Sequence, residues 1–146
     1  MTRPLAVDPR GPRVAAAVTA VVLAVGLATG SAWIVGAQAA IFAMGAAGRS
    51  PYQVLFATLI RPRLSPTAER EPVAPLRFAQ TVGLVFAFIG AVGFATGLDP
   101  LGFVFTGFAF AAAFLNAAFG LCLGCELYLL IARAAGRPLS RRLPVS

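Results

Sequence analysis

Six consecutive residues, Leu121-Cys122-Leu123-Gly124-Cys125-Glu126, hold both cysteines of the chain and one of its five acids. Two thiols spaced Cys-x-x-Cys suit thiol–disulfide exchange, sulfur transfer or soft-metal ligation. The carboxylate directly after the second thiol adds a proton acceptor or a further ligand. Cys122, Cys125 and Glu126 are therefore the candidate catalytic residues. Elsewhere the chain is poor in reactive groups. It has no His, the commonest general base and metal ligand, and no Lys, which removes Schiff-base chemistry. A mononuclear structural zinc takes four ligands. One chain offers Cys122, Cys125 and a carboxylate, so a metal site needs a homo-oligomer or a two-coordinate soft ion such as Cu(I). No cofactor is expected, and the sequence leaves open whether the protein is an enzyme.

The elements that must position these residues are apolar. Hydrophobic residues make up 59% of the chain and charged residues 12%, about half the charge of a soluble domain. The expected partner is a lipid bilayer. A net charge of +7 and a pI near 11.3 would also suit nucleic acid. However, all the cations are arginines in short segments between long apolar runs, which is the ordinary topogenic pattern. Nucleic acid is not an expected partner.

The expected fold class is all-α: a polytopic membrane protein forming a four-helix transmembrane bundle plus a short interfacial helix, in one membrane domain over 1–146. Val14 to Gly48 carries no charge and is broken by Gly26, Gly30 and Ser31, giving short spans at about 11–29 and 32–48. Trp33 would anchor the outer interface. Ser50 as N-cap followed by Pro51 opens a helix too short to span, so 50–77 reads as a cytoplasmic interfacial helix and loop. That loop is a solvated connector or a docking surface. Further spans fall at about 78–98 and 102–128, separated by Asp99-Pro100, and 133–146 is a basic tail. A cleavable signal peptide is not expected. Every arginine lies in the amino-terminal arm, the 49–77 segment or the tail, and none lies near the turns at Gly30 and Asp99. The positive-inside rule then places both termini in the cytoplasm and the protein in the plasma membrane.

Within this frame the cysteine pair lies about 16 Å inside the level of Arg133, towards a reducing compartment. A permanent structural disulfide is not expected there. A cycling dithiol, a sulfur carrier, a soft-metal site and two inert thiols stay open. On a continuous helix Cys122, Cys125 and Glu126 share one face, with Gly120 and Gly124 on the opposite, packing face, although glycines on both sides of Cys122 could also loosen the helix there. Arg133 lies two turns along and offers Glu126 an ion-pair partner instead. The pairs Gly26/Gly30, Gly93/Gly97 and Gly120/Gly124 are spaced for close helix approach. Gln38, Gln80 and Asn116 read as interhelical hydrogen-bond partners. Phe103, Phe105, Phe108, Phe110 and Phe114 read as packing and lipid contact.

Four stretches carry a resemblance: Val7-Asp8-Pro9-Arg10-Gly11-Pro12-Arg13, Arg61-Pro62-Arg63-Leu64, Arg77-Phe78-Ala79-Gln80, and Phe114-Leu115-Asn116-Ala117-Ala118-Phe119-Gly120 running into Cys122-Leu123-Gly124-Cys125-Glu126. The chain resembles the bacterial integral membrane family known as domain of unknown function 4395. The resemblance covers nearly the whole chain and implies no established activity. Relatives in the family the chain resembles are often encoded near thioredoxin-like proteins and thiosulfate sulfurtransferases in actinobacteria, an association that tilts the cysteine reading toward thiol or sulfur handling. A thiol-redox or sulfur-relay component is thus the first reading. The alternatives are a small transporter or channel subunit for a sulfur anion or soft metal, and a non-catalytic membrane anchor or assembly factor. A quinone reductase of the vitamin-K-epoxide-reductase type shares only the motif, and the positive-inside reading puts this pair on the cytoplasmic side.

Overall fold

A computed structural model describes residues 6–7, 10–49, 51–63 and 71–136. The cap expected at Ser50, the loop at 64–70, the arm at 1–5 and 8–9, and the tail at 137–146 lie outside them. A two-residue strand β1 (Ala6–Val7) pairs antiparallel with β2 (Glu71–Pro72). Everything else of regular structure is helical.

The long uncharged run breaks where glycine permits. Gly30 adopts φ +62° and its N–H closes on the Gly26 carbonyl at 2.8 Å. The Ser31 hydroxyl then accepts the Ile34 N–H at 3.3 Å and caps the next helix. The result is α1 (Arg10–Thr29) and α2 (Ala32–Ala46). A single α-turn, α3 (Pro51–Leu55), runs into a wider π-turn at Phe56–Ile60 and a 3₁₀ turn at Arg61–Arg63. After β2 come α4 (Val73–Ala95) and α5 (Asp99–Phe119), with Pro100 in the first turn of α5. A separate helix, α6 (Leu123–Ala134), follows.

The helices pack in a ring: α1 against α2 and α5, and α4 against α2 and α5. The short α6 lies mainly on α4. Leu23, Val35, Ala39, Phe42, Ala87 and Ala109 form the common core. Polar side chains Thr19, Gln38 and Thr106 are also buried, whereas Trp33, Val21, Phe88, Phe108 and Phe119 are exposed. Large apolar groups outside and small or polar ones inside is the arrangement for a lipid solvent. Three helices are long and apolar enough to cross a bilayer: Gly11–Thr29, Ala74–Ala95 and Asp99–Phe119. This is an all-helical membrane protein. With 15 residues α2 is shorter, rising about 22 Å against a hydrocarbon core of about 30 Å.

Three expectations are corrected. The continuous helix over 102–128 does not form; the chain bends at Gly120 into α5 and α6. Nor do the three paired glycine motifs act as packing faces. In each pair one glycine packs and the other turns. Gly26, Gly93 and Gly124 face Val35, Gly102 and Ala79, while Gly30, Gly97 and Gly120 have φ of +62°, +82° and +67°. The pattern marks helix ends. The third helix also starts earlier than its uncharged run, because Arg77 turns its guanidinium back along α4 to the end of α2, where Nε donates to the Ala46 carbonyl at 2.9 Å.

Candidate functional site

Gly120 makes the site possible. Its left-handed φ lets its N–H reach the Asn116 carbonyl at 2.9 Å, and the Leu121 N–H reach the Leu115 carbonyl at 3.3 Å. These two bonds close α5. The Arg13 guanidinium, arriving from α1, lies beside Gly120 and donates to the Ala117 carbonyl at 3.4 Å. A cation thus meets the carbonyl end of α5, where the helix dipole favours it.

Two residues later Cys122 is extended (φ −87°, ψ 103°) and serves as the N-cap of α6. Its Sγ accepts the Cys125 N–H at 3.2 Å, and its carbonyl accepts the Glu126 N–H at 3.0 Å. The Cys122 and Cys125 sulfurs are joined as a disulfide, with Cα atoms 5.2 Å apart. Both residues are buried, with 8% and 4% of their surface exposed. A permanent disulfide was not expected, yet the pair is bonded here. Glu126 lies in the first turn of α6, half-buried, so the structure does keep the three predicted site residues together. They occupy one capped helix start rather than one face of a long helix. Arg133, exposed in the last turn of α6, makes no ion pair with a described residue.

Packing fixes this turn against α4. A Cβ on Gly124 would stand 2.6 Å from the Ala79 backbone, and the Phe78 and Tyr128 rings meet at 5.7 Å. Beside the disulfide lies a cavity of about 390 Å³. Its wall is formed by the first half of α1, the beginning of α4, the second half of α5, and α6 with Cys122. Phe42 reaches it from α2. The lining is apolar apart from Thr19, Gln80, Asn116 and the Cys122 sulfur.

A family model described as "Domain of unknown function (DUF4395)" matches residues 7–133. The chain belongs to the DUF4395 family. The matched region holds the whole cysteine turn and every residue lining the cavity. No curated protein and no solved structure matches this chain.

Sequence reasoning assigned Gln80 and Asn116 to interhelical hydrogen bonds. Both residues line the cavity of this DUF4395 protein, and the Gln80 amide lies between helices, against Gly45 of α2. Gln38 does what was expected: its Nε2 donates to Thr19 Oγ1 at 3.4 Å, joining α2 to α1. It also accepts the Tyr52 hydroxyl from α3 at 2.8 Å. Burial holds the Tyr52 phenol above its ordinary pKa, so it stays a donor. No periodicity announces the cavity, because it depends on how three helices splay. Among the described residues no group of three or more His, Cys, Asp or Glu gathers to hold a metal.

Proposed function

We propose that this DUF4395 protein is a membrane thiol–disulfide redox protein whose Cys122–Cys125 couple cycles between disulfide and dithiol. The observation that carries the reading is the disulfide at the capped start of α6, with Cys122 Sγ accepting the Cys125 N–H. In the forward step a reductant thiolate attacks Cys122 Sγ, a new S–S bond forms, and Cys125 leaves as a thiolate that takes up a proton. A second reductant thiol then breaks the mixed disulfide and frees Cys122. The N-terminus of α6 favours negative charge on Cys122, which makes it the better nucleophile near neutral pH. Glu126, in the same turn, relays the proton.

The orientation belongs to the same proposal. Arg13, Arg49, Arg77 and Arg133 belong to one end of the helical bundle, and Trp33, 89% exposed, to the other. With the arginine end cytoplasmic, α1, α2, α4 and α5 are four spans of the plasma membrane, α3 lies at the interface, and both termini are cytoplasmic. The compartment at the cysteine turn then supplies reducing thiols, and a thioredoxin-like or sulfurtransferase protein is the reductant class.

In the reverse exchange the Cys122 thiolate attacks a partner disulfide and Cys125 then attacks the mixed disulfide to release the partner thiol, so replacing Cys125 removes that second step. Cys125→Ser expressed in cells should accumulate a mixed disulfide through Cys122, detected on non-reducing gels and absent from the Cys122→Ser/Cys125→Ser double variant. A membrane-impermeant maleimide should label the wild type in inverted vesicles only after reduction. No adduct in Cys125→Ser, with Cys122 unlabelled from either side after reduction, would refute the redox reading.

A further inference from the structure

A couple that is reduced on one side of its cycle needs an oxidant on the other. Cys122, 8% exposed, is among the residues that line the cavity. The cavity volume of about 390 Å³ falls in the roughly 300–1,000 Å³ range of small-molecule sites. The walls then restrict the chemistry. Phe42, Phe86 and Phe108 offer ring edges and faces, and alanines of α1 and α5 make up much of the rest. Thr19, Gln80 and Asn116 are the polar residues of this apolar lining, with the Thr19 hydroxyl also accepting from Gln38 and the Gln80 amide lying beside Gly45 of α2. An acyl chain makes no use of such donors. A flat ring carrying two carbonyl oxygens does, because each oxygen accepts an N–H or O–H.

We propose that the cavity binds a membrane quinone, which accepts the two electrons that re-form the Cys122–Cys125 disulfide. This rests on the redox reading above. One quinone and the two thiols give one hydroquinone and one disulfide. The two S–H bonds break and the S–S bond forms. Each quinone oxygen gains one proton and one electron. Cys122 is the sulfur nearest the ring, and the amides of Gln80 and Asn116 hold the carbonyls.

The test uses the full-length protein in detergent, reduced with a dithiol and desalted without oxygen. A short-chain benzoquinone or naphthoquinone is added; quinol absorbance and alkylatable thiols are followed together. Reoxidation should saturate with quinone, with one quinol formed per disulfide. Ala112→Phe, which fills the cavity, should slow it about tenfold, and Asn116→Leu should raise half-saturation by about as much. Diamide, an aqueous thiol oxidant, should re-form the disulfide at the same rate in all three proteins and so reports on their folding. Non-saturating oxidation by quinone in the wild type would overturn the proposal. So would wild-type kinetics in both variants, because the cavity would then be a lipid crevice. If diamide fails to form the intramolecular disulfide in the wild type, the redox reading falls as well. Should one variant lose its diamide rate, the other variant and the wild-type saturation still decide.

Discussion

Where α1 turns into α2 and α4 into α5, backbone meets backbone; at the opposite end the helices stand apart around a cavity. At the turn end a Cβ on Gly93 would lie 2.6 Å from the Gly102 nitrogen, and one on Gly102 would lie 2.6 Å from the Phe94 ring. Thr106, fully buried, sits against Gly90 in the same seam. The Phe94 and Phe103 rings meet edge to face at 5.0 Å. At the arginine end, α1, α4 and α5 border about 390 Å³ instead, and the arginine caps of Arg13 and Arg77 join the close contacts of Gly45 and Gly124 in holding neighbouring helices together. The difference separates labour along one set of helices. The closed end sets the helix spacing, and the open end uses it to leave room beside a sulfur pair.

Adding volume to each end tests that division most severely. Gly93→Val pushes side-chain atoms into the α5 backbone, which cannot yield, and should cost about 3 kcal/mol. Ala112→Phe adds a larger group but directs it into empty space, and should change stability by less than about 1 kcal/mol. Unfolding in mixed micelles by titration with a denaturing detergent gives both numbers. Equal costs at the two positions would mean that the cavity end is as tightly packed as the turn end, and the comparison would fail.

The buried polar link between α1, α2 and α3 is next in size. Tyr52→Phe removes the hydroxyl that α3 donates to Gln38 Oε1 and takes a hydrogen bond from a buried acceptor, at a cost of about 1–2 kcal/mol. The sign of its pH dependence follows from the phenol. Its folded pKa is raised above the ordinary 10.0 by burial, so the unfolded chain loses its proton first. The contribution of Tyr52 is fully present below pH 10 and is lost as pH rises through the folded value. Thermal melts across that window should fall for the wild type and stay flatter for Tyr52→Phe. Parallel curves would remove Tyr52 from the account of the open end.

What the sequence revealed divides along the same line. The breaks at Gly30 and Asp99-Pro100 were legible because glycine and proline act locally, and α1 and α2 end close to where uncharged length says they must. The grouping of Cys122, Cys125 and Glu126 was legible because it is contiguous. The break at Gly120 was not, since Gly124 looks the same in sequence and packs inside a helix instead of turning. Hydropathy could not find it either: the apolar character runs unbroken from Leu101 to Cys125. The cavity was hidden for another reason. Thr19, Gln80, Asn116 and Cys122 come from four helices, and only the ring of packing brings them to one wall. Arg77 misled the start of α4 because a charge in an apolar run was taken as a boundary, although its long stem carries the guanidinium back to a helix end.

The smallest effect distinguishes the two arginine caps. Arg13 and Arg77 perform the same physical act, each placing a guanidinium at the carbonyl end of a neighbouring antiparallel helix. Each contributes about 0.3–1 kcal/mol through the helix dipole. The Arg77 bond is shorter, 2.9 Å against 3.4 Å, so Arg77→Ala should lie at the upper end of that range and Arg13→Ala at the lower. Their sites differ more than their energies. Arg77 caps α2, which ends away from the cysteines. Arg13 bonds Ala117 and lies over Gly120, the residue on which α6 turns away from α5. Loss of Arg13 should therefore loosen the turn that buries Cys122. In the reduced protein, alkylation of Cys122 should quicken several-fold in Arg13→Ala and remain at the wild-type rate in Arg77→Ala. Arg13→Lys should restore the slow rate in part, since an ammonium keeps the charge at the helix end without the guanidinium's reach and fork. Equal alkylation in both alanine variants would show that the cysteine turn is held by its contact with Ala79 alone, and the open end would then owe its shape to α4 rather than to the arginines.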